Sequence, residues 1–112
     1  MSTNTYTNAK AVLRGNTTVY TAPSAGTAIV KSIRVSNDDT QNDRTIKITV
    51  TDTSSNVFTL ETERTIQKKT SEEILNSYSF STSPIILKSS EILKATTTGS
   101  DVHIIVSILE MT

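Results

Sequence analysis

The chain has no cysteine and no tryptophan, and it has only three glycines, two prolines and one histidine in 112 residues. Without cysteine there is neither a disulfide framework nor a thiolate metal site. Three scattered glycines cannot build a Gly-rich phosphate loop. Aromatic residues make up 4% of the chain, so any core has to be assembled from Ile, Val and Leu. No sign of charge dominates: eleven basic and eleven acidic residues give a formal net charge of zero. The basic footprint of a nucleic-acid-binding protein is therefore missing. No apolar run approaches the ~20 residues of a membrane-spanning helix, so no membrane partner is expected. The N-terminus, Met1-Ser2-Thr3-Asn4-Thr5-Tyr6, lacks the apolar h-region of a signal peptide. Asn16-Thr17-Thr18 fits a glycosylation sequon, but without a secretion signal it carries no weight.

What is abundant is Thr and Ser, 21 and 15 residues respectively. β-Branched Thr and backbone-competing Ser are poor helix fillers, and both suit strands with a polar outer face. The length corresponds to one domain.

The stretch Thr17 to Asn37 carries the pattern most clearly. Thr17 to Thr21 are β-branched or aromatic, types that favour a pleated, half-buried surface. Pro23 cannot donate to a sheet ladder, and Pro23-Ser24-Ala25-Gly26 has the chemistry of a tight turn. Thr27 to Ser36 then runs on without a breaker. Ile29, Ile33 and Val35 fall on one face with Lys31 as an exception, and Ala28, Val30, Ser32 and Arg34 fall on the other. Arg44 to Asp52 alternates most cleanly, with Ile46, Ile48 and Val50 on one side. In Val57 to Ile66, Phe58, Leu60 and Ile66 share a face with Thr62 and Arg64, opposite Glu61 and Glu63. Thr70 to Asn76 admits either a strand or irregular structure, or a helix start capped by Thr70 with early acids. Tyr78 and Phe80 alternate within a Ser-rich run up to Ser83, and Pro84 opens Ile85-Ile86-Leu87.

Glu91 to Thr97 and Val102 to Met111 read as the last two strands, joined by a hairpin turn over Thr98 to Asp101. Val102, Ile104, Val106 and Ile108 make one continuous apolar face, and Ile105, Leu109 and Met111 add apolar groups to the other. A strand apolar on both faces is central in a sandwich or buried at a subunit contact. Eight to nine short strands at regular spacing define the expected fold: an all-β chain forming a single antiparallel β-sandwich or jelly roll. Residues 1–13 are polar at first and read as an N-terminal arm, frayed or ordered only against a neighbour, with Ala11-Val12-Leu13 as a short strand. Residues 14–112 then form the sandwich domain.

Val19-Tyr20-Thr21-Ala22-Pro23, followed by Thr27-Ala28-Ile29-Val30-Lys31-Ser32-Ile33-Arg34-Val35-Ser36-Asn37, resembles small virion structural proteins of tailed bacteriophages. There, a strand ending in a TxYTAP-like turn leads into a TAIVKSIRVxN-like strand. Val106 to Thr112 resembles the final strand of the same group. The resemblance implies a non-enzymatic, homo-oligomeric virion protein, assembled in the host cytoplasm onto other virion structural proteins. Capsid decoration or cementing is the leading role; a neck, tail or baseplate accessory role, or a carbohydrate-binding sandwich module, is the alternative. Contact residues are expected on the arm (Thr3, Tyr6, Val12, Leu13) and on the second face of the last strand (Ile105, Leu109, Met111).

No catalytic or cofactor-binding residue is assigned. His103 stands alone mid-strand, with no partners spaced for a triad or zinc site. Asn37, Asp38, Asp39, Asn42 and Asp43 gather oxygen atoms in one polar hairpin loop. Asp43 sits where an EF-hand needs Gly, and no Glu closes the loop. Glu61 and Glu63 resemble a glycosidase pair only by proximity, and Arg64 and Lys68 beside them favour exposed ion pairing. No metal or cofactor is expected.

Overall fold

The period-two patterns of the sequence become nine strands in the computed structural model, which describes residues 3–76, 84–99 and 101–112. They are β1 (Asn4–Leu13), β2 (Asn16–Thr21), β3 (Thr27–Asn37), β4 (Arg44–Thr51), β5 (Val57–Ile66), β6 (Thr70–Asn76), β7 (Ile85–Leu87), β8 (Ile92–Thr97) and β9 (Val102–Met111). The segment open to helix or strand is thus a strand, β6. The Tyr78 and Phe80 alternation lies outside the described residues.

The strands form two antiparallel sheets. One runs β1-β9-β3-β6, with β7 also against β3; the other runs β2-β8-β4-β5. The chain is in effect folded in half. Its first strands pair with its last in reverse order: β1 with β9, β2 with β8, β3 with β6 and β7, β4 with β5. That long hairpin, wrapped so that successive strands switch sheets, is a jelly roll.

This topology corrects several local expectations. Pro23 to Gly26 is the expected tight turn, but it joins strands that do not pair, because β2 and β3 lie in different sheets. The Asn37 to Asp43 loop and the Thr98 to Asp101 link, both expected as hairpins, likewise join strands of different sheets. Pro23 to Gly26 and Asn37 to Asp43 are arches over the ends of the sandwich. Among the described residues, sequential strands meet as a hairpin only across Asp52 to Asn56, between β4 and β5. Turn chemistry reverses the chain equally well within a sheet or between sheets, so local sequence does not distinguish the two.

The arches are tied together. Ala22 N–H donates to the Glu91 carbonyl at 2.9 Å, and Ser90 N–H to the Pro23 carbonyl at 3.3 Å. Gly26 is required by a close approach: a Cβ there would collide with the Met111 carbonyl oxygen and stand 2.9 Å from Thr112 Cγ2. Gly15 is required by its backbone, with φ at +64°.

The core lies between the sheets. Val102, Ile104, Val106 and Ile108 of β9 are fully buried, as are Ile48 of β4 and Leu93 of β8. Strand β9 is central, flanked by β1 and β3, which is why its sequence is apolar on both faces. In β3 the exception at Lys31 is a β-bulge: the register to β9 shifts between Val30 and Ser32. The bulge flips the alternation, so Ala28, Val30, Ile33 and Val35 are buried together, and Ile29 points the other way. Strand β5 contains two such shifts against β4. They place Phe58, Glu61 and Arg64 opposite Val50, Ile48 and Ile46, not Glu61 with Glu63.

Asn4 to Leu13, read from sequence as an arm with a three-residue strand, is a ten-residue edge strand in unbroken register with β9. Its odd-numbered residues face inward: Ala9 and Ala11 pack on the core and Leu13 is fully buried within it. Leu13, expected at a partner contact, is therefore a core residue. Small inward side chains at Thr7, Ala9 and Ala11 disguise the strand as a polar tail.

Candidate interaction surface

The outer face of the five-stranded sheet brings most of the expected contact residues into rows that cross the strands. One row is Tyr6, Leu109, Ile29 and Ile86, paired in register from β1 through β9 and β3 to β7. Tyr6 is 72% exposed and Ile86 61%; Leu109 and Ile29 between them are half-buried. The row above it is Asn4, Met111 and Thr27. The row below is polar: Asn8, Ser107 and Ser32, with Ser107 Oγ donating to Asn8 Oδ1 at 3.2 Å. Next comes Lys10, Ile105 and Arg34, followed by Val12, His103 and Ser36. Ile105 and Val12 are both about half exposed.

Of the expected contacts, Tyr6, Val12, Ile105, Leu109 and Met111 thus share one surface. Thr3 lies at its corner, bonded through its backbone to Thr112 in both directions at 2.7 and 3.0 Å. Ile29 and Ile86 were missed. Strict period-two counting puts Ile29 on the opposite face because it takes no account of the bulge, and Lys31 breaking the alternation is the signal that marks it. Ile86 carries no local signal, since its place depends on the pairing of β7 with β3.

The polar candidates are committed to structure. Asn37 is buried, and its Nδ2 donates to the carbonyls of Asn42 and Ile66, each at 3.0 Å. Its Oδ1 accepts from Asp39 N–H at 3.0 Å. Asp39 Oδ1 accepts from Gln41 N–H at 2.8 Å and Asn42 N–H at 3.1 Å, while Arg44 Nη2 holds Oδ2 at 2.6 Å. The Gln41 amide, then Arg44 and the Asn42 amide, hold the Asp39 carboxyl down to about 2. Asp43 Oδ1 accepts from Lys68 N–H at 3.0 Å. Side-chain oxygens of Asn37, Asp39 and Asp43 are thus engaged in fastening the arch. Glu61 and Glu72 both pair with Arg64, at 3.8 and 3.2 Å, as the exposed ion pairing expected for Glu61. His103 is exposed, between Val12 and Ser36.

No protein-family model matches the sequence, and no curated protein matches it. Solved structures do resemble the fold. A chain of the T13 particle of infectious bursal disease virus aligns with a TM-score of 0.53 and 8% identity over 96% of this chain. The present chain spans 30% of that protein's length. A chain from the acid-stable capsid of Helicobacter pylori bacteriophage KHP30 aligns at 0.49 with 17% identity, over 100% of this chain and 94% of its own. The likeness to the infectious bursal disease virus protein is one of fold.

Tyr20 and Glu110 tie the two sheets at the end of the sandwich nearest the apolar row. Tyr20 on β2 donates its hydroxyl to Glu110 Oε2 on β9 at 2.5 Å. Burial first, and then the neighbouring Glu110 carboxylate, push the phenol above its ordinary value. The folded state therefore holds this proton more tightly than the unfolded state. Its contribution is complete below the unfolded value of about 10 and is lost as pH rises past it. Tyr20→Phe should cost about 1 kcal/mol near neutral pH, because the bond is partly solvated. Urea titrations from pH 8 to 11 should show a shallower alkaline loss of stability in the variant than in the wild type. Parallel curves would exclude the linkage.

Proposed function

We propose that the chain is a non-enzymatic structural component of a virion, attached to the capsid shell through the outer face of its five-stranded sheet. The observation that carries this reading is the row Tyr6, Leu109, Ile29 and Ile86. A sheet face exposed to water normally alternates polar side chains outward, and contiguous apolar surface marks a contact. The fold it shares with a protein of a virus particle supports the same reading, as does the resemblance of Val19 to Asn37 and Val106 to Thr112 to tailed-phage virion proteins. The charged groups tested as candidate chemistry support a structural role too, since Asp39, Glu61 and Arg64 are tied to one another or to backbone. Attached across subunit seams, such a module adds contacts that must break before the subunits separate.

The test is rebinding. Particles lacking the protein are mixed with purified wild type or with an Ile29→Lys, Ile86→Lys double variant. Both side chains point outward, although Ile29 is half-buried, so the variant should still fold, with a modestly lowered melting temperature, and lose at least roughly tenfold in affinity, since two apolar contacts to the shell are removed. Binding unchanged by the double variant would rule this face out as the attachment surface.

A further inference from the structure

We propose that the free edge of β1 pairs with β1 of a second copy, antiparallel across a two-fold axis at Asn8, so that the five-stranded sheets of two chains become one. The inference does not rest on the virion reading.

The backbone gives the first argument. Thr3 and Thr112 exchange both of their amide hydrogen bonds, and the β1–β9 register is unbroken from there to Leu13 and Val102. In an antiparallel ladder every second residue bonds to the same neighbour. Thr5, Thr7, Ala9, Ala11 and Leu13 therefore bond to β9. Asn4, Tyr6, Asn8, Lys10 and Val12 turn their N–H and C=O groups to the other side, where no described strand pairs with them.

The other edges are blunted in the ways that edge strands usually are. β2 has six residues and a register shift between Thr18 and Tyr20. β5 is shifted twice and carries Glu61 and Arg64, the latter paired both with Glu61 and with Glu72 of β6. The remaining edge is divided between β6 and the three-residue β7. Among the described edge strands, β1 alone is long, straight in register and free of proline, with Lys10 its single charge.

The side chains identify a second copy as the occupant. With the axis at Asn8, Asn4 faces the second copy's Val12, Tyr6 its Lys10, and Asn8 its Asn8. This register satisfies every outward N–H and C=O of the five residues on both chains. Each Lys10 meets an aromatic ring rather than its own copy, which lies roughly 14 Å along the strand. On the inner side Thr5 meets Ala11 and Thr7 meets Ala9, small residues that let the two sheets join without a clash.

The chain's lack of cysteine makes the register directly testable. Sedimentation equilibrium of the wild type should give the mass of two 12.2 kDa chains. Asn8→Pro removes an outward N–H and the Ser107–Asn8 side-chain bond but leaves the backbone bonds of the β1–β9 ladder in place, so it should give a folded monomer whose melting temperature, somewhat below that of the dimer, no longer depends on protein concentration. Ala9→Pro, which breaks that ladder, should lower the melting temperature. Should either proline variant fail to fold, the cross-link decides. Hydrogen-bonded partners have Cα atoms about 5.5 Å apart, within disulfide reach. Asn8→Cys should therefore cross-link on mild oxidation, and Asn4→Cys should not. A wild type that is monomeric at all concentrations would overturn the proposal. So would a dimer in which Asn8→Cys fails to cross-link.

Discussion

Ile104→Ala should lower stability by about 3 kcal/mol, within the range for emptying a packed Ile site, and Ile105→Ala by less than about 1 kcal/mol. The two residues are adjacent in β9 and chemically identical, so propensity cannot separate them. Their surroundings can. Ile104 is fully buried, beside Ala11 of β1 and Val35 of β3. Ile105 lies 45% exposed between Lys10 and Arg34. Loss of the Ile104 side chain leaves a cavity between sheets that are held on both sides and cannot collapse into it. For a domain of this size the deficit corresponds to a fall in melting temperature of more than roughly 10 °C. Thermal denaturation of both variants checks the assignment of faces. Equal losses would mean that β9 is not oriented as described.

Asn37→Leu should cost about 2–4 kcal/mol, although the two side chains are similar in size. Asn37 is 1% exposed where β3 leaves its sheet. Its Nδ2 supplies both protons to carbonyls, one on the Asn37–Arg44 arch and one at the end of β5 in the opposite sheet. Leucine would leave the Ile66 and Asn42 carbonyls and the Asp39 amide without this partner, and a buried unsatisfied group costs about 1–3 kcal/mol. Asn37→Asp should be no better. A carboxylate can still accept from Asp39 N–H, but it donates to neither carbonyl and would bury a charge. Denaturant titrations of both variants measure the effect. A wild-type midpoint for Asn37→Asp would show that the two donated bonds contribute nothing.

The contrast between these residues shows how far the sequence could be read. Period-two alternation located every strand core that follows it strictly, as in Ile46, Ile48 and Val50, or Val102 to Ile108. It failed at Lys31 and in β5, where register shifts change the parity, send Ile29 outward and set Glu61 opposite Ile48. It also failed at β1, where Thr7, Ala9 and Ala11 are too small to announce a buried face. Asn37 looked like one more polar residue in a turn. Its importance comes from Ile66, distant in sequence and brought close only by the stacking of two sheets. For the same reason the row Tyr6, Leu109, Ile29 and Ile86 was half visible: each member is apolar, but their alignment is set by the pairing of four strands. Arches and hairpins use the same turn residues, so the division into sheets followed from long-range pairing alone.

The measurement that bears most directly on the virion role is the copy number of this protein in purified particles, obtained by quantitative mass spectrometry with tail-less particles as the control. Attachment to the shell predicts on the order of hundreds of copies, retained without the tail, because an icosahedral lattice repeats one site many times. Absence from the particles would contradict a structural role in the virion. Copies that disappear with the tail would contradict attachment to the shell.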